Sequence, residues 1–239
     1  MSPSNREDIP VSVGLLVDSS SSMSRKRRDV TAAALAFVRS SNPRDEMFVV
    51  NFSERVTLGL PPEKLFSASP PELEKALNDV PAMGRTALYD AIDQGVAHLA
   101  RATHKKKVLI VISDGGDNAS RLKLGQVLED ARRSDITIYS IGLFDEHEAD
   151  QNPRVLQKLA RISGGEAFFP ARSSQVVPIC EQIAADIRQQ YAIGYVSSNQ
   201  NLDGAWRQIR VTVTPPDGRP LSVRTREGYF ASPKPEGVR

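Results

Sequence analysis

Cysteine is nearly absent. Cys180 is the one thiol in 239 residues, which excludes an internal disulfide and any multi-cysteine zinc site. Histidine is scarce as well. His98, His104 and His147 show no HxxxH spacing, and a single cysteine allows no CxxC. A zinc enzyme is therefore disfavoured, whereas an all-oxygen metal site made from Asp, Ser and Thr stays open. Excess charge is lacking too: 31 Lys and Arg against 29 Asp and Glu leave +2, which gives no argument for a nucleic-acid or lipid partner. No apolar run approaches the roughly 20 residues needed to span a bilayer. The opening MSPSNREDIP has no apolar core of a signal peptide. What is there is ordinary for a globular chain, 40% hydrophobic and 25% charged, so low-complexity disorder is excluded for the bulk of it. The length suits one large α/β domain or two small ones.

Short apolar runs alternate with helical stretches. Val11–Val17, Met47–Phe52, Val108–Ser113, Ile136–Leu143 and Ala167–Phe169 read as strands. Between them, apolar residues recur at helix spacing over Arg25–Ser40, up to Leu77, over Leu88–Leu99, around Leu124–Ala131, around Leu156–Ile162 and over Ser174–Gln190. Strands apolar on both faces and separated by helices predict a doubly wound, mostly parallel α/β sheet covered on both sides. Val56–Leu60, following Met47–Phe52 after a tight turn, predicts one antiparallel edge strand. From Tyr191 the pattern changes. Tyr191–Val196 reads as a strand, and Gln208–Thr214 alternates at period two. PPDG at Pro215–Gly218 is a turn signal, and Leu221–Thr225 answers as the second arm of a hairpin. The expected organisation is a metal-binding domain over 1–190, a β-extension packed on it over 191–230, and a disordered tail over 231–239.

The residues that carry chemistry sit at predicted strand ends. Asp18, Ser20 and Ser22 form a D-x-S-x-S run directly after the first strand. Asp114 ends the run VLIVISD, and Thr86 opens a helix on a Gly-containing loop. In open α/β sheets ligands bind just beyond such ends, where the strand order reverses. If the two strands are neighbours there, two carboxylates and three hydroxyls meet at one rim. Hard oxygen donors of this kind suit Mg²⁺, with Mn²⁺ next; Ca²⁺ usually draws more carboxylates and carbonyls.

D18-x-S20-x-S22, Thr86 in GRTALYDAI and Asp114 in VISDGGDN together resemble the metal-ion-dependent adhesion site of von Willebrand factor type A domains. The resemblance runs to Phe230 and is nearest to bacterial proteins in which such a domain is followed by a segment like YAIGY…DGAWRQIRVTV…VRTREGYF. It implies that Ser20, Ser22 and Thr86 touch the metal through their hydroxyls, that Asp18 and Asp114 act directly or through water, and that one position stays open for a carboxylate of a partner protein. It also implies an extracytoplasmic setting and an accompanying N-terminal β-structure that the C-terminal hairpin would complete. Two positions depart from the family's pattern. Ser21 and Arg85 stand where glycine is common, and Arg85 puts a cation beside the site.

Other residues carry weaker signals. Asp90, one turn after Thr86, reads either as an exposed helix residue or as an acceptor supporting the ligands. Asp117 falls on the same rim. Arg25-Lys26-Arg27-Arg28 reads as a solvated helix face, or else as a basic collar that steers acidic partners. Lys105–Lys107 reads as a solvated turn, and Asp145–Asn152 as an exposed acidic loop or a weak second cation site. Trp206 is expected to anchor the hairpin, and Cys180 to be a buried small apolar residue. The function expected is metal-dependent protein binding without catalysis. The alternative is a Mg²⁺-dependent phosphohydrolase with Asp18 as nucleophile. That chemistry needs a second carboxylate two residues on, where this chain has Ser20.

Overall fold

The computed structural model describes residues 9–78, 83–145, 150–191, 193–214, 221 and 223–231. Six strands, β1 (Val11–Asp18), β2 (Glu46–Phe52), β3 (Val56–Leu58), β4 (Lys106–Ser113), β5 (Ile136–Gly142) and β6 (Ala167–Phe168), form one sheet in the order β3-β2-β1-β4-β5-β6. All neighbours run parallel except β3, which pairs antiparallel with β2 at the edge. The doubly wound sheet and its single antiparallel edge strand match the pattern expected from the alternating runs.

The central strands are continuous β-branched and aliphatic runs because both faces are covered. β1 is buried along its whole length, and Val108 to Ile112 of β4 are fully inaccessible. Helices α1 (Arg27–Ser40), α2 (Pro70–Asn78) and α6 (Val176–Gln189) cover one face, with α1 packed against the other two. Helices α3 (Leu88–Leu99), α4 (Leu124–Arg133) and α5 (Pro153–Ser163) cover the opposite face. Each lays its apolar stripe on the sheet, as Leu88, Ala91, Ile92 and Leu99 do in α3. Among the described residues no helix is long and apolar enough to cross a membrane.

A polar lock holds the end of the sheet away from the rim at Asp18. Asp45 is buried, and its carboxylate accepts the Val11 N–H at 2.9 Å and pairs with Arg188 of α6. Lys106 donates to the Ile187 carbonyl of the same helix. The cluster Lys105–Lys107 is thus not a solvated turn: Lys106 and Lys107 open β4, and the Lys106 ammonium satisfies a carbonyl near a helix end that has no intrahelical partner.

The C-terminal extension departs from expectation. The expected strand Tyr191–Val196 makes no ladder in its described residues, and Tyr191 is 89% exposed. Among the described residues the pairing that forms lies at the outer end of the expected hairpin, where Gln208 and Ile209 open the first arm. β7 (Trp206–Gln208) runs antiparallel to β8 (Gly228–Phe230), and the Ile209 N–H reaches the Glu227 carbonyl at 2.9 Å. The turn PPDG lies outside the described residues, as does 232–239. The physical reason is where a partner surface exists. Trp206 stacks edge-on against Phe230 at 4.9 Å, Arg132 sits 5.9 Å over the Trp206 ring, and Arg133 sits 4.1 Å over Phe230. Val213 and Leu221 find no such cover and are exposed. Trp206 is the anchor that its position suggested.

The extension docks at the lock end of the sheet. Arg226 pairs with Asp135 at 2.7 Å and donates to the Arg132 and Ser134 carbonyls, capping the end of α4. Gly164 ends α5 at φ +82°, and a Cβ there would sit 2.6 Å from the Arg226 nitrogen. Gly164→Ala is therefore expected to destabilise the fold by about 1–3 kcal/mol through its backbone alone. It should also loosen 223–231, read as a lower urea midpoint and faster proteolysis of the C-terminal segment. Cys180 is buried on the apolar face of α6, and burial pushes its thiol up to about 12. Thiol titration at pH 8 is expected to find it inert in the native protein and reactive only in denaturant.

Candidate metal centre

The strand order reverses between β1 and β4. β2 and β3 lie to one side, β5 and β6 to the other, and a crevice opens beyond the strand ends at such a point. The register sets Val17 beside Ile112, so Asp18 and Ser113 come level. Asp18 and Asp114 thereby arrive at one rim from adjacent strands, each nearly inaccessible at 2% and 4% exposure.

Both carboxylates use the same local device. Asp18 Oδ1 accepts the Ser20 N–H at 2.9 Å, and Asp114 Oδ1 accepts the Gly116 N–H at 3.0 Å. Each is an Asx turn that bends the chain off its strand. The other oxygens join a hydroxyl network. Ser113 Oγ donates to Asp18 Oδ2 at 2.7 Å, Ser22 Oγ donates to Asp114 Oδ2 at 2.6 Å, and Ser20 Oγ lies 3.1 Å from Ser22 Oγ. A short 3₁₀ turn over Ser21–Met23 holds these serines by burying Met23 completely. The Ser21 N–H donates to the Gly84 carbonyl, and the Met83 N–H donates to the Ser19 carbonyl. The loop carrying Thr86 is thus laid against the loop carrying Ser20 and Ser22.

Thr86 is buried and held by its backbone. Its N–H donates to Asn118 Oδ1 at 2.9 Å, and its carbonyl accepts the N–H groups of Asn118 and Ala119. Asn118 also donates to Asp150 at 3.1 Å. Sequence reasoning missed both Asn118 and Ser113. The run VISDGGDN contains them, but their partners are distant in sequence and appear only once β1 and β4 are paired. The two glycines of that run admit the next loop: a Cβ on Gly115 would sit 2.4 Å from the Asn152 carbonyl oxygen, and one on Gly116 2.5 Å from that of Asp150.

The residues around the rim make these contacts. Asp90 accepts the N–H groups of Arg121 and Leu122, and Asp117 accepts the Tyr89 N–H and the Ser120 hydroxyl. Both carboxylates fasten the 117–122 loop to the start of α3. Arg85 is exposed and donates to the Asn118 carbonyl at 3.3 Å. The basic run is split. Arg25 and Arg28 are exposed, whereas Lys26 donates to the Leu143 carbonyl, and Arg27 to Ser19 Oγ at 2.8 Å and to the Leu77 carbonyl. Half of that solvated face is therefore scaffold for the rim. Of the acidic loop, Asp145 and 150–152 are described and His147 is not; the Asn152 N–H donates to the Asp114 carbonyl at 3.0 Å.

The donor set fits a hard divalent cation. Two buried carboxylates converge, and among the described residues neither has a Lys or Arg partner. Among the described residues no three His, Cys, Asp or Glu side chains gather, so any ion here is held by carboxylates together with neutral hydroxyls. The electrostatics agree: burial is the main cause, and the nearby Asp114 a lesser one, that pushes the Asp18 carboxyl up to about 6, against the opposing hydrogen bonds from Ser113 and Ser20.

In metal-free protein this raised value makes folding take up a proton at Asp18. The Asp18 contribution to stability is most favourable below about pH 4 and is lost as pH rises through about 6. Asp18→Asn is therefore expected to stabilise the metal-free protein by about 2–3 kcal/mol at pH 8 and by nearly nothing at pH 3.5. Urea denaturation in EDTA at both pH values measures it, and equal effects at the two would remove the buried-charge explanation.

The comparisons with known proteins bear on this rim. The family model of the von Willebrand factor type A domain matches residues 12–183. A comparison with curated proteins found no match. Among solved structures the fold is similar to a von Willebrand factor type A protein from Catenulispora acidiphila, with TM-score 0.67 and 19% identity over 75% of this chain and 43% of that one. It is also similar to the vWF domain of the type V pili tip protein Mfa5 from Porphyromonas gingivalis, with TM-score 0.63 and 14% identity over 80% of this chain and 99% of that one. A third is proximal thread matrix protein 1 from the mussel byssus with a zinc-occupied MIDAS motif, with TM-score 0.62 and 17% identity over 74% of this chain and 48% of that one. This chain thus spans less than half the length of the first and third. With the model matched from the first strand into the last long helix, the chain belongs to the von Willebrand factor type A domain family.

Proposed function

We propose that the protein is a metal-dependent protein-binding module whose rim at Asp18, Ser20, Ser22, Thr86 and Asp114 holds a divalent cation and accepts a carboxylate from a partner protein. The observation that carries this is the pair of buried carboxylates without a basic partner among the described residues, linked through Ser20 and Ser22 into one network. Such a pair is costly to bury unless a cation compensates it. All-oxygen donors favour Mg²⁺, with Mn²⁺ and Ca²⁺ as weaker candidates; the zinc in the byssus protein's motif belongs to that protein. A bound divalent cation supplies an electrophilic centre for an anionic oxygen. Ser20 and Ser22 contribute oxygens without charge, so two carboxylates neutralise the ion without overcompensating it. Ser113 and the Ser20 N–H orient Asp18, and the Gly116 N–H orients Asp114. Arg85, exposed on the 83–86 loop, attracts an acidic partner. The pilus-tip and byssus settings of two similar structures support an extracytoplasmic adhesive role, which fractionation of the source cells would test.

Two measurements address the reading. Pull-down with Mg²⁺ against EDTA is expected to retain a protein partner only with metal, and Asp114→Asn is expected to abolish retention while the domain stays folded by circular dichroism. Titration calorimetry should show Mg²⁺ affinity falling sharply in Ser20→Ala/Ser22→Ala; unchanged affinity there would sink the assignment. Asn118→Ala removes the acceptor that holds the Thr86 N–H and is expected to weaken metal binding by about 10-fold or more.

A further inference from the structure

A second recognition site lies on the flank of the domain, along α5. Helix α5 and the segment 223–227 wall a groove of about 680 Å³, within the range of ligand-binding clefts. The lining is unevenly charged for a chain with so little net charge. Arg132, Arg154, Lys158, Arg161 and Arg224 face only Glu166 and Glu227. Arg161 is neutralised by Glu227 at 2.7 Å, and Arg224 by Glu166 and by Asp186 at 2.6 Å. Those pairs fasten the segment 223–227 to the body and leave the rest of the basic lining uncompensated. Among the described residues Arg154 and Lys158 have no carboxylate partner, and both are exposed.

From these features we infer that the groove binds an extended acidic peptide segment of a partner protein. Spacing favours a peptide over a small anion. Arg154 and Lys158 are four residues apart on one helix face, about 6 Å along the axis. Alternate side chains of an extended chain repeat at about 6.6 Å, so carboxylates at every second residue come level with the two cations. The cavity is far larger than a phosphate needs. Its other wall, Val223 to Thr225, carries no ladder of its own in the described residues, so it offers backbone along which an extended segment can lie. None of Asp18, Ser20, Ser22, Thr86 and Asp114 lines this groove, and its occupancy needs no cation.

The test uses the whole chain in EDTA, where the metal rim cannot hold an ion. Fluorescence polarisation is read with a short labelled peptide alternating Glu and Thr, and with its counterpart carrying Gln for Glu. The Glu peptide is expected to bind more tightly and to weaken as salt rises. The R154Q/K158Q double variant is expected to weaken it about tenfold, the loss that two exposed charge pairs imply. An unchanged thermal midpoint in that variant shows that the fold is retained. The inference is overturned if both peptides bind alike, if the double variant binds as the parent does, or if inorganic phosphate displaces the peptide at equal concentration. Because metal is withheld throughout, failure here leaves the metal-dependent reading standing, and failure of that reading leaves the groove intact.

Discussion

Two carboxylates held side by side, out of water and without a basic neighbour among the described residues, are the constraint around which the rest of the rim is organised. Asp18 and Asp114 are drawn together by the pairing of β1 with β4, an arrangement driven by burial of the aliphatic runs on both strands. The burial that stabilises the sheet is thus what makes the rim electrostatically unfavourable when no cation is present. Nearby hydrogen bonds from Ser113, Ser20, Ser22 and Gly116 relieve this only in part, since Asp18 stays shifted toward its neutral form despite them.

The loops around the pair are shaped to leave room rather than to fill it. Gly115 and Gly116 let the 150–152 backbone pass within touching distance of Asp114. Met23 plugs the core beneath the serine loop, and Arg27 ties Ser19 to the end of α2. Asp90 and Asp117 hold the 117–122 loop on α3, which in turn lets Asn118 grip Thr86. Charges that look like functional candidates along the chain are in several cases the struts of this frame.

At the other end of the sheet the extension is joined by a different chemistry. Arginines of α4 stack on Trp206 and Phe230, and Arg224 and Arg226 of the extension cap helix ends or pair with acids of the body. Guanidinium groups suit this because one planar group both stacks on a ring and donates several hydrogen bonds. The same docking walls the basic groove along α5, so recognition surfaces arise at a seam as well as at the strand ends.

The sequence by itself determined the layered α/β architecture and its antiparallel edge strand, and it named five oxygen-bearing candidates, of which Asp18, Ser20, Ser22 and Asp114 share one hydrogen-bond network. Each is encoded locally: the period of apolar residues sets helix or strand, and Asp or Ser after a strand marks a turn with free oxygens. Tertiary structure alone decided the roles of Ser113 and Asn118, the partners of Asp90, Asp117, Lys26 and Arg27, and the pairing of Trp206–Gln208 with Gly228–Phe230. These depend on which surfaces meet. A charged side chain looks the same in sequence whether it faces water or an orphaned carbonyl, and an alternating apolar run becomes a strand only where something covers it.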